Sequence, residues 1–179
     1  MQVAHEDAEA YAAWSGKELP TEAEWERAAR GGIGGAPFAW GEEHFPGGRP
    51  AANTWQAEFP WQNLKLDGYE GTSPVRSFEP NGCGLYDMCG NVWEWTADSF
   101  TSAHSADAAP CCAPPDRRAA VSGLQPRAEI PRKVMKGGSH LCAPNYCLRY
   151  RPAARQGETI DTSTGHIGFR CIVRAAADD

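Results

Sequence analysis

No stretch of the 179-residue chain approaches the length of a membrane span, and Met1 to Ala12 lacks the basic segment followed by an apolar one that marks a secretory leader. No membrane partner and a cytoplasmic location are therefore expected. Positive charge is short as well: 17 Lys and Arg stand against 23 Asp and Glu, a net charge of −6. A general nucleic-acid binder needs a clustered basic surface to displace counterions, so no nucleic-acid partner is expected, and the charge reads first as a source of solubility. Cys-x-x-Cys and His-x-x-x-His spacings are missing, which removes the usual structural zinc site. Aliphatic residues are scarce and the mean hydropathy is −0.54.

What the chain has instead is 19 Gly, 14 Pro and seven Trp. Glycine and proline in that number predict a loop-rich chain with little regular secondary structure. The tryptophans must carry much of the buried area, since each ring removes a large apolar surface from water. Seven cysteines are present: Cys83, Cys89, Cys111, Cys112, Cys142, Cys147 and Cys171. An odd number leaves at least one thiol unpaired within a chain, and thiol chemistry in a reducing compartment fits better than a disulfide scaffold.

Helical patterning is confined to the first thirty residues. Glu6 to Ser15 carries Ala8, Tyr11, Ala12 and Trp14 at helical spacing, with Gly16 placed to end the helix. Thr21 and Glu24 form a capping box, Trp25, Ala28 and Ala29 share one face of the next helix, and Gly31-Gly32 stops it. Residues 31–80 read as ordered loops and short strands anchored by Trp40, Trp55, Phe59 and Trp61. Residues 103–132, which include Cys111-Cys112 and Pro114-Pro115, read as a surface insertion. Arg132 to Lys136, Tyr146 to Tyr150 and Phe169 to Val173 look like short strands. There is no internal repeat, so residues 1–179 are expected to form one α+β domain.

Two constellations could carry chemistry. In Gly137-Gly138-Ser139-His140-Leu141-Cys142-Ala143-Pro144-Asn145-Tyr146-Cys147, a turn at Pro144-Asn145 could bring two thiols face to face. Paired thiolates suit Cu(I), which accepts two sulfur ligands, and Arg149, Arg151 and Arg155 would favour the thiolate form. Spacing alone nevertheless favours a disulfide or two buried thiols, and His140 reads as a surface or hydrogen-bonding residue before a ligand. The second constellation is oxygen-rich: Asn53-Thr54 with Asp67-Gly68-Tyr69, and Asp87 to Glu94 across Gly90. Carboxylates, amide oxygens and loop carbonyls are what a hard cation such as Ca²⁺ takes, although spacing alone favours turn capping here.

Leu19-Pro20-Thr21-Glu22-Ala23-Glu24-Trp25-Glu26, Ala52-Asn53-Thr54-Trp55-Gln56, Asn81 to Trp95, the cysteine stretch from Gly137 to Arg155, and Gly168-Phe169-Arg170-Cys171 follow one another in the order of formylglycine-generating enzyme/sulfatase-modifying factor domains. The chain resembles that family, and a bacterial-type member in particular. The resemblance implies a loop-rich, C-type-lectin-like fold. It also implies copper- and O₂-dependent oxidation of a cysteine, within a Cys-x-Pro-x-Arg segment of an unfolded or nascent sulfatase, to Cα-formylglycine. Cys142 and Cys147 would hold Cu(I), and Ser139 would stand beside the oxygen pocket. Asn53, Thr54, Asp67 and Tyr69 would bind one structural Ca²⁺. Asp87, Gly90, Val92 and Glu94 would bind another.

Several positions depart from the family pattern. Members carry a further N-terminal portion ahead of the point where Met1 stands here. Ala12 and Pro152 occupy positions of two disulfide cysteines, which leaves Cys171 without its partner, and His166 replaces an Asn near the groove. Two other readings keep the scaffold: a non-catalytic binding module, and a non-haem iron sulfoxide synthase. The latter needs a histidine cluster, and His5, His104, His140 and His166 are scattered in the sequence.

Overall fold

A computed structural model describes residues 1–101 and 130–174. Its regular elements are α1 (His5–Trp14), α2 (Glu22–Arg30), a single 3₁₀ turn (Pro46–Gly48), and strands β1 (Trp93–Ser99), β2 (Arg132–Lys136), β3 (Arg155–Thr159) and β4 (Ile167–Phe169). The strands form one sheet in the order β3-β2-β1-β4, antiparallel except for the parallel β1–β4 pair. The insertion read from the sequence falls mostly on residues 102–129, outside the described residues, and Arg132 already belongs to β2.

Both helices form where local signals place them. Thr21 Oγ1 accepts from Glu24 N at 3.2 Å while Glu24 Oε2 accepts from Thr21 N at 2.7 Å, and Gly31 closes α2 in the left-handed region. α2 lays Trp25 and Ala29 into the core, whereas Ala28 is half-buried. α1 has little amphipathic contrast and is held by polar anchoring instead. His5, 1% exposed, donates from Nε2 to Thr96 O at 3.0 Å and meets the Trp95 ring edge-on, and Trp95 Nε1 donates to Val3 O at 3.0 Å. Burial lowers the His5 pKa, which keeps the ring neutral in that place.

The strands were harder to foresee. β1 buries four consecutive residues, Trp93 to Thr96, so both of its faces are covered and no polar alternation marks it. β3 lies at the edge of the sheet and reads Arg-Gln-Gly-Glu-Thr, with little apolar content. Tyr146 to Tyr150 is not a strand: residues 144–147 make a turn. The strand expected from Phe169 lies earlier, with only an isolated bridge from Ile172 to Glu18 beyond it. Of the expected aromatic anchors, Trp40 stacks on Phe38 with a centroid separation of 5.1 Å, but Trp61 is 88% exposed.

Two outcomes follow from these contacts. Gly157 in β3 faces Phe100 so closely that a Cβ would lie 2.2 Å from Phe100 Cγ. Phe100 is in turn covered by the guanidinium groups of Arg132 and Arg155. Gly157→Ala is expected to lower stability by about 1–3 kcal/mol through overpacking, read as a fall in the urea midpoint. Glu24 is held down to about 2, first by Arg174 and then by the Thr21 cap. Its folded pKa lies below the unfolded one, so its contribution is present above the model-peptide range and lost as pH falls toward 2. Glu24→Gln should flatten the acid limb of the stability profile there; an unchanged acid limb would count against this pairing.

Candidate active site

β2 runs into Gly137-Gly138, both at positive φ, and the chain then turns back through residues 139–148. Gly138 packs so tightly on the returning segment that a Cβ would lie 2.8 Å from Tyr150 N. Inside this loop Cys142 N donates to Ser139 O at 2.9 Å, and the amides of Tyr146, Cys147 and Leu148 all donate to Ala143 O at 3.0–3.1 Å. One carbonyl thus gathers three N–H groups, which winds Ala143 to Cys147 into a tight turn and brings the two cysteines onto one side.

The thiols of Cys142 and Cys147 face each other, share a hydrogen bond, and are free rather than disulfide-bonded. Cys142 is 3% exposed and Cys147 is half-buried. Cys147 is pulled down to about 6, first because it accepts the Cys142 S–H, then through the amides of Arg149 and Ala143. Cys142 is pushed up, because it keeps the shared proton and because it is buried. The pair therefore titrates as one unit holding a single proton over two sulfurs, with the negative charge resting on the more accessible one. Of the three arginines expected to favour the thiolate, only Arg149 adds to that lowering; Arg155 is spent on Glu22 and Thr101 O, and Arg151 donates to Leu148 O.

Ser139 is 1% exposed, and its Oγ accepts from Leu141 N at 3.3 Å. His140 donates from Nδ1 to Asn91 O at 3.0 Å, so it is a hydrogen-bonding residue here, with the His166 ring centroid 6.5 Å away. Tyr150 is fully buried, and burial together with the charge of both cysteines raises its pKa. Its hydroxyl shares a hydrogen bond with His44 Nε2 at 2.8 Å, and the two rings stack. His44 was not singled out in the sequence. It lies 106 residues from Tyr150, and no local spacing could have paired them. A cavity of about 370 Å³ is lined by Trp40, Arg49, Phe78, Leu85 and Cys89, and the cysteine pair does not open into it.

The oxygen-rich sets fare differently. Around Asp67, Oδ2 accepts from Thr54 N at 3.2 Å and from Gln56 Nε2 at 2.8 Å, and Oδ1 accepts from Tyr69 N at 3.0 Å. Gln56 Nε2 also donates to Thr54 O, so a carboxylate and a carbonyl converge on the position of a single amide nitrogen. Asn53 reaches the same loop through Gly71 O. This set fits a hard cation. In the second set Glu94 is already committed: Arg170 grips both of its oxygens at 2.5 and 2.7 Å and Trp25 Nε1 donates to Oε2 at 2.6 Å. Asp87 Oδ2 accepts from Arg76 N at 2.7 Å, and Arg170 also donates to Asp87 O. A cation beside Glu94 would have to share it with a guanidinium. Among the described residues, no three His, Cys, Asp or Glu side chains gather as a metal site.

A small α+β domain of irregular loops that displays two facing free thiols defines the class. Residues 1–175 match the sulfatase-modifying factor enzyme 1-like domain, and the chain belongs to that family. It is 54% identical over 174 residues to the formylglycine-generating enzyme of Mycobacterium tuberculosis, covering 96% of this chain and 56% of that protein. To the bovine (Bos taurus) formylglycine-generating enzyme it is 46% identical over 173 residues, with 96% and 42% covered. The bovine protein named inactive C-alpha-formylglycine-generating enzyme 2 is also similar, at 37% identity over 174 residues, with 96% and 48% covered. The chain spans about half the length of these relatives. Among solved structures, PvdO from Pseudomonas aeruginosa superposes with a TM-score of 0.66 at 32% identity, with 94% of this chain and 59% of that one covered.

The geometry orders the reactivity of the cysteines. In the metal-free chain at neutral pH, iodoacetamide should modify Cys147 well before Cys142, which keeps the shared proton, and Cys89, which burial keeps protonated. Peptide mapping by mass spectrometry after timed alkylation checks this; equal rates at Cys147 and Cys89 would contradict the shared-proton arrangement.

Proposed function

We propose that this chain carries the reactive centre of a copper- and O₂-dependent oxidase that converts a cysteine in a sulfatase Cys-x-Pro-x-Arg segment to Cα-formylglycine. The observation that carries this reading is the pair of facing free thiols, one of them accessible. Two sulfurs, with no third His, Cys, Asp or Glu gathered beside them among the described residues, suit Cu(I), and when bound that ion supplies the electron chemistry with O₂. The net change at the substrate is a two-electron oxidation of carbon. RCH₂SH and water become RCHO and H₂S, and the two electrons and two protons released reduce dioxygen to H₂O₂, or to two H₂O when an external thiol reductant supplies two more of each.

The protein's own part is to hold and orient. Cys142, anchored by the Ser139 carbonyl and by Trp55 N at 3.1 Å, is the fixed sulfur, and Cys147 faces the approach of an incoming thiolate. Buried Ser139 offers its hydroxyl where a small polar reactant would need a partner. Tyr146, 68% exposed and stacked on Phe59, gives the approach an aromatic surface that an extended peptide can lie against. Such a peptide is available only before the sulfatase folds, so the partner is an unfolded or nascent chain. The free state of all five described cysteines suits a reducing, cytoplasmic setting. We place a structural Ca²⁺ at Asn53, Thr54, Asp67 and Tyr69, where it would stiffen a loop that has no strand partner.

A binding module without catalysis is the second reading, favoured by the similarity to a relative named inactive. Incubating the chain with Cu(I), O₂ and a Cys-x-Pro-x-Arg peptide, followed by mass spectrometry, decides between them. Aldehyde formation is expected, together with Cu(I) bound one to one. Cys142→Ala and Cys147→Ala should each abolish both. Ser139→Ala should lower turnover by about 10–100-fold with copper still bound, as loss of a supporting residue beside a metal typically does. Turnover that persists in either cysteine variant would sink the assignment. For calcium, Asp67→Ala should remove any rise in Tm on adding Ca²⁺.

A further inference from the structure

The cysteine turn is tied to the loop of residues 53–69 at three points. Trp55 N donates to Cys142 O at 3.1 Å, and Asn145 Nδ2 donates to Glu58 Oε2 at 2.7 Å. Phe59 stacks on Tyr146 with ring centroids 4.6 Å apart and an interplanar angle of 23°. The first contact holds one sulfur-bearing residue, and the other two hold the residues just before the second. At its other end the same loop closes on Asp67, whose carboxylate receives Thr54 N, Gln56 Nε2 and Tyr69 N.

Thr54 and Trp55 share one peptide unit, and the cis bond of this region lies elsewhere, at Phe59-Pro60. A trans peptide is a rigid plane whose C=O and N–H point in opposite directions. On one side of this plane Thr54 O faces the Asp67 set, where Gln56 Nε2 now meets it. On the other, Trp55 N–H holds Cys142 O. Any tilt that improves the carbonyl's grip on a cation must also move the N–H against Cys142. The plane cannot serve one end alone.

We propose that the Thr54–Trp55 peptide plane couples cation binding at the Asp67 set to the placement of the Cys142–Cys147 pair, with Glu58 a positioning residue that holds the far side of the turn through Asn145. This rests on the calcium reading given above and is independent of copper. Linkage makes the effect reciprocal: whatever calcium does to the cysteines, a ligand on the cysteines does to calcium affinity. The class of effector is a hard divalent cation with carbonyl and carboxylate ligands.

The test uses the metal-free full chain and follows iodoacetamide labelling of each cysteine by mass spectrometry, in calcium chloride and in EGTA, with calcium binding measured in parallel by calorimetry. Calcium should slow labelling of Cys142 and Cys147 by about fivefold or more, the lower end of ordinary coupling between sites. Cys83, exposed on a separate turn, serves as the internal control and should not respond. Glu58→Ala should reduce the calcium effect at Cys147. Glu58→Gln, which can still accept from Asn145, should restore it, an outcome that a general loss of structure would not produce. Calcium bound with unchanged labelling overturns the coupling and leaves the cation seat standing. No calcium bound overturns both. Aldehyde formation plays no part in the readout, so its presence or absence bears only on the catalytic reading.

Discussion

The carboxylate of Glu94 is the point on which the rest of the fold hangs. It sits in the central strand, 7% exposed, and accepts hydrogen bonds from Trp25 of α2 and from Arg170 just past β4. The same guanidinium donates to Tyr86 O and Asp87 O and so fixes the turn before β1. That turn in turn holds the approach to the cysteine loop: Gly90 N donates to Gly137 O at 2.8 Å and His140 N donates to Asn91 O at 2.9 Å. A buried ion pair is weak evidence for net stability, since both charges lose water. Once it is built, however, loss of one partner leaves an unpaired buried charge, costing about 3–5 kcal/mol. The strand, the helix and the site are therefore set by one electrostatic junction.

Away from that junction, side chains do the work a sheet would do in a more regular fold. Asn53 reaches Gly71 O, Asn81 bonds Ala28 O and Ala29 O while accepting from Cys83 N and Leu85 N, and Asn91 exchanges two hydrogen bonds with Ser73. Each closes a loop by satisfying backbone groups that lack a ladder partner. Loops stapled in this way can be exposed and fixed at once. That suits a pair of free thiols of which one is accessible and both are held in a fixed geometry.

Family membership alone does not assign the activity, because a relative named inactive shares the domain. What bears on activity is the site: two free sulfurs sharing a proton, one sealed and one accessible, beside an exposed aromatic surface. Low pKa and access coincide on Cys147, while Cys142 is the better protected of the two. The division of roles follows from burial and one hydrogen bond.

Much of the α-helical part was legible in the sequence, because a cap is a short-range event. Thr21 reaches an amide three residues on, and Gly31 ends the helix at its own φ. The cysteine turn was half legible. Pro144 and Asn145 announced a turn, but spacing could not say whether the sulfurs would bond covalently or only share a proton. β1 was hidden because its residues are buried on both faces and show no period of two. What only the tertiary structure decided is which distant groups meet. Glu94, read as a calcium ligand, is answered by Arg170 from 76 positions away. Tyr150 finds His44 across 106, and Trp61, read as an anchor, ends in solvent. Local chemistry specifies what a residue can do within the reach of its own side chain. Which charge neutralises which, and which ring is covered, depends on the surfaces that packing brings together.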